Sequence, residues 1–342
     1  MKIAIISKLW ERSDPFSTGG TGAVVGNLAE GLVKRGHKVT LFASGNSKTK
    51  AALVSVTPRP YGDKNHYSEI KEFGNISRAF SSSGNFDIID CHVEHKGLFF
   101  SRLVKTPVVH SLEYGEIPKE EIAFLKEHRR ENFIMISKAM AKRLSFLNIA
   151  GVIHNGLDFS RFPFNEKPED YFLFLGRLSP QKGPGIAIEA ARSLKLKLIL
   201  AGKTSRTDQR YLDKYVWPYV DNKRIIYAGE VGFKEKIRLL KSARAVLHPH
   251  TYFEAFGLVP VEAQACGTPA IVFPGGASRE IVVSGRTGFI VKNIEGLMAA
   301  VKKIEGIDRR ACRKFVAEKF PVEKMIDGYE KTYKRVIVNH KK

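Results

Sequence analysis

The chain has 342 residues, enough for two domains of ordinary size, and its 43% of apolar residues can fill two cores. The three cysteines are far apart and form no CxxC pair, which argues against a disulfide framework or a zinc site and favours a reducing, cytoplasmic compartment. No apolar run approaches the length of a membrane span, and the N-terminal stretch turns polar too early for a signal peptide.

The net charge of +21 is the unusual global property, because such a field attracts polyanions. The basic residues are spread along the chain, with no Arg-rich tail and no alternation of basic and aromatic residues, so nucleic acid is not favoured as a partner. Two interpretations stay open. One is peripheral contact with an anionic membrane at its cytoplasmic, inner face; the other is a Lys-rich, thermophilic surface without a polyanion partner.

The first half of the chain alternates strands and helices. An apolar run over residues 3–6 predicts a buried parallel strand, helical spacing over residues 23–35 ends at Gly36, and residues 38–42 predict the next strand. This is a βαβ unit with a glycine-rich turn at the helix N-terminus. Further strands are predicted near residues 86–91, 107–109, 133–136 and 152–153, with helices over 97–104 and 137–147.

The same alternation restarts after a turn-forming segment, residues 154–158. Two successive series of strands and helices predict an α/β protein with two doubly wound, Rossmann-like domains, residues 1–154 and 155–321, which pack across a cleft. The last helix, over residues 322–338, is expected to return to the first domain, which would then include residues 322–342. Strands of the second domain are predicted over residues 171–175, 196–201, 224–227, 245–247, 269–273 and 289–290, with helices between them, among them 186–194 and 258–265.

Gly19 and Gly20 precede the first long helix. Amides at a helix N-terminus carry partial positive charge, and glycine lets a phosphate approach them closely. The segment is not the G-x-G-x-x-G dinucleotide fingerprint, and no acidic residue closes the following strand. An NAD-dependent oxidoreductase is therefore the weakest alternative.

Two cations, Arg177 and Lys182, lie in a loop directly after a predicted strand and are flanked by Gly176 and Gly183. Cations at the carboxyl edge of a parallel sheet suit a diphosphate, whose charge they would neutralise as a nucleotide diphosphate departs.

Two acids, Glu254 and Glu262, bracket the start of the predicted helix 258–265, where Pro260 is tolerated in the first turn. Acids at two depths can bind hydroxyls at two places along an extended ligand, a sugar and a ribose, and helix amides between them can meet phosphate. The apolar neighbours of Glu262 predict that its side chain is partly buried and needs a partner.

These residues resemble a known family. Glu-x-Phe-Gly-Leu-x-x-x-Glu from Glu254 to Glu262, followed by Ala-x-Ala-Cys-Gly-Thr-Pro, is similar to the donor-site signature of the retaining glycosyltransferases of family 4, which have the GT-B fold. The resemblance covers nearly the whole chain. The segments that carry it fall in the expected order: Gly19-Gly20, residues 155–158, Gly176-Arg177 with Lys182-Gly183, Gly202, Gly229-Glu230 and residues 287–289.

The resemblance implies a hexosyltransferase that moves a sugar from a UDP, GDP or ADP sugar to a hydroxyl acceptor, which could be lipid-linked. It implies retention of the anomeric configuration and neither a cofactor nor a metal. Glu254, Arg177 and Lys182 would be the catalytic residues. Arg177 and Lys182 would bind the diphosphate and Glu254 the sugar, and the donor-binding residues implied are Gly19, Gly20, Glu230, Phe256, Gly257, Leu258 and Glu262.

The sequence departs from the family at one place. After the strand predicted over 107–109, the family commonly has a histidine that lines the sugar site, and here Glu113 stands at that position. Either His110 moves in to serve, or the sugar contact differs. His92, after another predicted strand, is a further candidate for the acceptor or sugar site.

Three alternatives stay open. A disaccharide synthase or a phosphorylase-like enzyme could share the fold, although no pyridoxal-phosphate lysine motif is evident. The third is a non-catalytic protein whose basic surface binds a polyanion or a membrane.

Overall fold

The computed structural model describes residues 1–62, 68–113 and 115–340. Contacts divide the chain into two compact units. The first unit contains Met1–Leu157 together with Val322–Lys342, and the second contains Asp158–Pro321. The boundary expected from the sequence, between residues 154 and 155, lies just before the division that the contacts give.

The first unit is built on a parallel sheet, whose strands among the described residues run in the order β3-β2-β1-β4-β5-β6-β7. The chain starts in the middle of this sheet and its order reverses beside β1, as in doubly wound folds. The strands are β1 Lys2–Ser7, β2 Lys38–Phe42, β3 Ala52–Val54, β4 Ile88–His92, β5 Val108–Leu112, β6 Asn132–Met135 and β7 Ile149–Val152. The helices are α1 Gly20–Lys34, α2 Glu69–Ser81, α3 Leu98–Ser101, α4 Lys119–Glu127, α5 Lys138–Arg143 and α13 Val322–His340.

The second unit repeats this architecture, with described strands in the order β10-β9-β8-β11-β12-β13, all paired in parallel. The strands are β8 Phe172–Leu175, β9 Leu198–Ala201, β10 Ile225–Tyr227, β11 Ala245–His248, β12 Ala270–Val272 and β13 Gly288–Ile290. The helices are α6 Pro184–Ser193, α7 Gln209–Tyr215, α8 Phe233–Ser242, α9 Leu258–Ala265, α10 Ser278–Ile281, α11 Ile294–Lys302 and α12 Arg309–Lys319.

The central strands are apolar because helices cover both faces of a parallel sheet. Every residue of β4, β5, β8 and β9 is buried. The expected α/β class with two Rossmann-like domains is confirmed.

Several elements differ from the sequence expectations. The predicted helices 97–104 and 137–147 are shorter, as α3 and α5. The strand expected at 107–109 begins at Val108, because Pro107 has no amide hydrogen to donate to a neighbouring strand. The sequence patterns predicted no helix between the strands at 38–42 and 86–91, but α2 lies there and begins at Glu69; residues 63–67 lie outside the described residues.

Helix α13 completes the first unit. It packs on α1, where Gly31 leaves room for Ile326: a Cβ atom added at Gly31 would lie 2.0 Å from the Ile326 Cδ1 atom. Its Tyr329 and Tyr333 are fully buried, and the Tyr333 hydroxyl donates a hydrogen bond to Asp90 on β4. The last helix therefore supplies part of the first unit's core.

Candidate active site

The loops after β8 and β11 approach each other closely at the carboxyl edge of the second unit's sheet. These strands are adjacent and parallel, so their following loops share one edge. Gly183, at a φ of 76°, brings the first loop against Pro249, whose carbonyl oxygen would be 2.2 Å from an added Cβ. Gly276, after β12, lies under Glu254 in the same way: its Cβ would be 1.8 Å from the Glu254 carbonyl oxygen. Glycine is required at both positions to hold the loops together.

Glu254 is the centre of a buried polar cluster at this edge. Its Oε2 atom accepts hydrogen bonds from Lys182 Nζ at 2.8 Å, from His248 Nε2 at 3.1 Å and from the hydroxyl of Tyr252. Its Oε1 atom has no hydrogen-bond partner among the described residues. Burial alone would raise the pKa of Glu254, but Lys182 and His248 outweigh burial and hold it well below its usual value. The carboxylate is therefore ionised, with one oxygen fixed and the other available.

His248 acts here as a neutral donor. Its burial lowers the pKa of the imidazole, and the bond to Glu254 only partly opposes this. The neighbouring His250 is also buried and has its pKa lowered to about 4, with burial as the main cause and His248 as the next. Both rings are therefore uncharged at neutral pH, and Lys182 is the cation that contacts Glu254.

Arg177 differs from Lys182. It follows β8 and is exposed, and its guanidinium has no hydrogen-bond or ion-pair partner within the described part of the chain. Lys182 is partly buried and paired with Glu254. The two cations predicted for a diphosphate are thus in different states: Arg177 is unpaired among the described residues, and Lys182 already contacts a carboxylate.

Glu262 lies inside α9 and is paired with Lys236 of α8, the Nζ to Oε1 distance being 2.7 Å. Both side chains are less than a tenth exposed, 6% for Lys236 and 7% for Glu262. The partner that the burial of Glu262 required is therefore Lys236.

The N-terminus of α9 lies between the two acids. Gly257, at a φ of 89°, is the residue before the helix, and Leu258 is its first residue. Phe256 is buried and packs edge-on against Phe320, which fixes the turn. The first amides of a helix have no partner within the helix, so this end can accept an anion.

The remaining donor-binding candidates lie elsewhere. Glu230 follows β10 and is exposed, with its carboxylate 3.1 Å from Lys203 Nζ. Gly19 and Gly20 belong to the first unit, at the N-terminus of α1. The carboxylate of Glu11 lies beside them and accepts a hydrogen bond of 2.6 Å from the Gly22 amide. A carboxylate thus occupies the helix end at which a phosphate was predicted.

The three candidates for the acceptor or sugar site lie at the carboxyl edge of the first sheet or just beneath it. His92, the last residue of β4, bonds to Glu113 Oε1 through Nδ1 at 2.6 Å and to Asp90 Oδ2 through Nε2 at 3.0 Å. His110, within β5, is fully buried, and neither ring nitrogen has a partner among the described residues. Its burial lowers its pKa to about 3. His110 therefore does not reach the strand edge in this structure, whereas Glu113 does.

Two further properties of the described residues bear on partners. No helix among them is both long and apolar enough to cross a bilayer. Among the same residues, no group of three or more His, Cys, Asp and Glu side chains is arranged to hold a metal ion.

Comparison with known proteins identifies the family. Residues 158–316 match the model of glycosyl transferases group 1, and residues 18–161 match that of glycosyltransferase family 4. The glycogen synthase of Mycobacterium tuberculosis is 33% identical over 89% of this chain and 86% of its own length. The chain belongs to glycosyltransferase family 4.

Solved structures agree with a GT-B fold for this family 4 chain. AviGT4, a glycosyltransferase involved in avilamycin A biosynthesis, superposes with a TM-score of 0.74 at 23% identity and covers 99% of this chain and 98% of its own. The Anabaena protein HepE in complex with UDP-glucose superposes with a TM-score of 0.75 at 19% identity and covers 98% and 100%.

Sequence reasoning missed three side chains that contact the two predicted acids, Glu254 and Glu262: Lys236, His248 and Tyr252. Lys236 lies on another helix from its partner Glu262, so no local spacing connects them. His248 and Tyr252 flank Glu254 in the same loop. An aromatic and a histidine within six positions of an acid after a strand were the available signal.

The Asp90–His92–Glu113 contact predicts a pH-dependent stability. Burial alone would lower the pKa of His92, but the two carboxylates outweigh it and raise the pKa to about 10. Because this folded pKa lies above the unfolded value of about 6.5, the protonated His92 stabilises the folded protein. Its contribution to the free energy of unfolding is fully present below pH 6.5 and is lost as the pH rises towards 10. We expect the free energy of unfolding of His92→Gln, measured with urea between pH 6 and pH 10, to fall less with pH than that of the wild type.

His128→Gln is the matched control for this measurement. His128 is partly buried, and its ring bonds to the carbonyl of Phe124 rather than to a carboxylate. Its pH profile should run parallel to that of the wild type. A His92→Gln profile that also runs parallel would contradict the prediction.

Proposed function

We propose that this family 4 enzyme is a retaining, metal-independent and cofactor-independent hexosyltransferase that moves a hexose from a UDP, GDP or ADP sugar to a hydroxyl acceptor. The observation that carries the proposal is the arrangement at the carboxyl edge of the second sheet. There the unpaired Arg177, the partly buried Lys182 and the fixed carboxylate of Glu254 lie on loops that meet near the N-terminus of α9.

Each residue has a chemical task in this proposal. Arg177 and Lys182 bind the diphosphate and neutralise the charge that develops as it departs. The free Oε1 of Glu254 accepts a hydrogen bond from a sugar hydroxyl, and amides near Phe256 and Gly257 contact the next hydroxyls. Glu262, whose Oε1 atom is held by Lys236, accepts hydrogen bonds from the ribose hydroxyls.

The reaction forms one bond and breaks one bond at the anomeric carbon. The acceptor oxygen bonds to that carbon on the face from which the nucleotide leaves, and the bond from the carbon to the phosphate oxygen breaks. The acceptor proton passes to the departing phosphate oxygen. The configuration is thereby kept, and the two cations supply the electrostatic stabilisation that a metal ion would otherwise give.

What two relatives are named for supports a nucleotide hexose as the donor. HepE is described in complex with UDP-glucose, and a relative is named a glycogen synthase, so both belong to hexose chemistry. For this chain, the donor is proposed on its own cations and acids together with that similarity.

A donor panel tests the proposal. Purified protein is mixed with UDP, GDP and ADP sugars in EDTA, and thermal unfolding and nucleotide release are followed. We expect the sugars of one nucleotide to raise the melting temperature, since a ligand at about 100 times its Kd adds about 2.7 kcal/mol to the free energy of unfolding. We also expect the released sugar to keep its anomeric configuration. The proposal fails if no nucleotide sugar protects or is consumed.

Sedimentation with anionic liposomes at low and high salt tests an accompanying proposal. We propose that the net charge of +21 gives a cytoplasmic enzyme a peripheral, salt-sensitive contact with an anionic membrane. Equal sedimentation with and without liposomes would rule this out.

A further inference from the structure

The carboxyl edge of the first sheet has its own cluster of ionisable side chains, at the point where the strand order reverses. Ligands of doubly wound sheets bind outside the carboxyl ends of the strands at this switch point, here between β1 and β4. Lys8 directly follows β1, and Glu94 comes shortly after β4. Their ion pair, with Nζ 2.7 Å from Oε1, spans the switch point.

A second group of contacts adjoins this pair. Lys96 Nζ lies 3.3 Å from the other oxygen of Glu94. His92 is held between Asp90 and Glu113, and Asp90 itself accepts hydrogen bonds from Ser111 Oγ at 2.8 Å and from Tyr333. The two groups interact electrostatically, since the negative charge of Glu113 in the second group raises the pKa of Lys8 in the first. We call these six residues the switch-point cluster: Lys8, Asp90, His92, Glu94, Lys96 and Glu113.

The charges of the switch-point cluster are balanced. Burial alone would raise the pKa of Glu94, but Lys8 and Lys96 lower it to about 2, so this carboxylate stays ionised beside both ammonium groups. His92 is positive between two carboxylates. Every cation of the cluster therefore already contacts a carboxylate, although the whole chain carries a net charge of +21.

Balanced charge decides which acceptors suit this edge. A phosphate monoester carries roughly −1.5 to −2 charge at pH 7 and binds best where at least one cation has no carboxylate partner, as Arg177 has none among the described residues at the edge of the second sheet. Here it would have to displace a carboxylate and then remain next to it. A hydroxyl fits without displacing anything, because it can donate to a carboxylate and accept from an ammonium group at the same time.

We propose that the switch-point cluster binds the acceptor and selects an uncharged sugar or polyol over its phosphate ester. This inference rests on the proposed function, and it adds the chemical class of the acceptor. Glu94, whose side chain is 26% exposed, accepts hydrogen bonds from the acceptor's hydroxyls. Glu113, whose side chain is only 4% exposed, is a positioning residue bonded to His92.

Matched acceptor pairs test the proposal. The donor found in the panel is supplied with glucose or glucose 6-phosphate, fructose or fructose 6-phosphate, and myo-inositol or its 3-phosphate, and kcat/KM for transfer is measured. We expect the uncharged member to be preferred by about 10-fold or more, the effect of one like-charge contact near a protein surface. Glu94→Gln and Glu113→Gln should each narrow the preference for the uncharged acceptor, because each removes one negative charge from the cluster. Glu94→Gln leaves Lys8 and Lys96 without their shared carboxylate, and Glu113→Gln leaves His92 with Asp90 alone.

Glu127→Gln is the control, since this residue is exposed at the end of α4 and makes the same charge change. Its acceptor preference should equal that of the wild type. A preference for phosphate esters, acceleration by neither class, or an unchanged preference in both cluster variants would overturn the proposal. Donor hydrolysis without acceptor separates the two failures: if it persists, the transferase function stands and only the acceptor class is wrong.

Discussion

Replacing Glu254 with Gln is expected to lower the transfer rate by about 10²- to 10³-fold, the effect of losing one preorganised electrostatic group. The amide keeps the size of the side chain but loses the charge that Lys182, His248 and Tyr252 share at Oε2. The free oxygen can no longer accept a hydrogen bond from the sugar as a carboxylate does. Initial rates of nucleotide release with saturating donor and acceptor measure the effect.

Glu235→Gln is the control for Glu254→Gln. Glu235 lies on α8 and is 44% exposed, and its ion pair with Arg238 is on the surface. This variant should transfer at the wild-type rate. Circular dichroism at rising temperature separates a loss of chemistry from a loss of fold. Equal rates for the two variants would remove Glu254 from the catalytic site.

The second large effect is expected for Lys182→Met, which should weaken binding of the nucleoside diphosphate by about 10- to 100-fold. Charge-assisted hydrogen bonds contribute about 1.5–3 kcal/mol each, which corresponds to this range. The pKa of Glu254 should also rise, since Lys182 is the main group that lowers it against burial. Calorimetric titration with the diphosphate of the preferred base measures the affinity.

Lys197→Met removes the same charge at the opposite edge of the sheet, just before β9, where the side chain is exposed. Its affinity should stay within about twofold of the wild type, since an exposed charge that far away is screened by salt. If both lysine variants lose affinity equally, the effect comes from the net charge and not from the site.

The elements that local patterns determine were predictable. Helix α9 begins and ends where the sequence predicts, because Gly257 precedes it and Pro260 fits its first turn. Helix α2 was missed because its buried face is partly polar. Glu72 accepts bonds from the Leu9 amide and Tyr61, and Asn75 donates to the carbonyls of Ser7 and Phe42. An apolar period of 3.6 therefore does not stand out.

In the candidate site too, local patterns identified single residues, whereas the contacts between them depend on tertiary packing. Arg177, Lys182 and Glu254 could be found because each follows a strand in a loop with a glycine-rich or helix-starting pattern. Their pairing could not, since only the packing of β8 beside β11 brings Lys182 to Glu254. Likewise His92 and Glu113 stood out separately. Their bond depends on β4 and β5 being neighbours, and on Asp90, which the sequence did not single out.

Because helix α13 belongs to the first unit, that unit is synthesised in two parts, before and after the second unit. The second unit, Asp158–Pro321, is a single stretch of chain placed between the two parts of the first. A nascent chain therefore has all residues of the second unit before the first unit receives its last helix. Until then Asp90 lacks the hydrogen bond from the Tyr333 hydroxyl, and Gly31 of α1 lacks the packing contact with Ile326. Since domains fold as units during synthesis, the later-numbered unit is the first that can be completed.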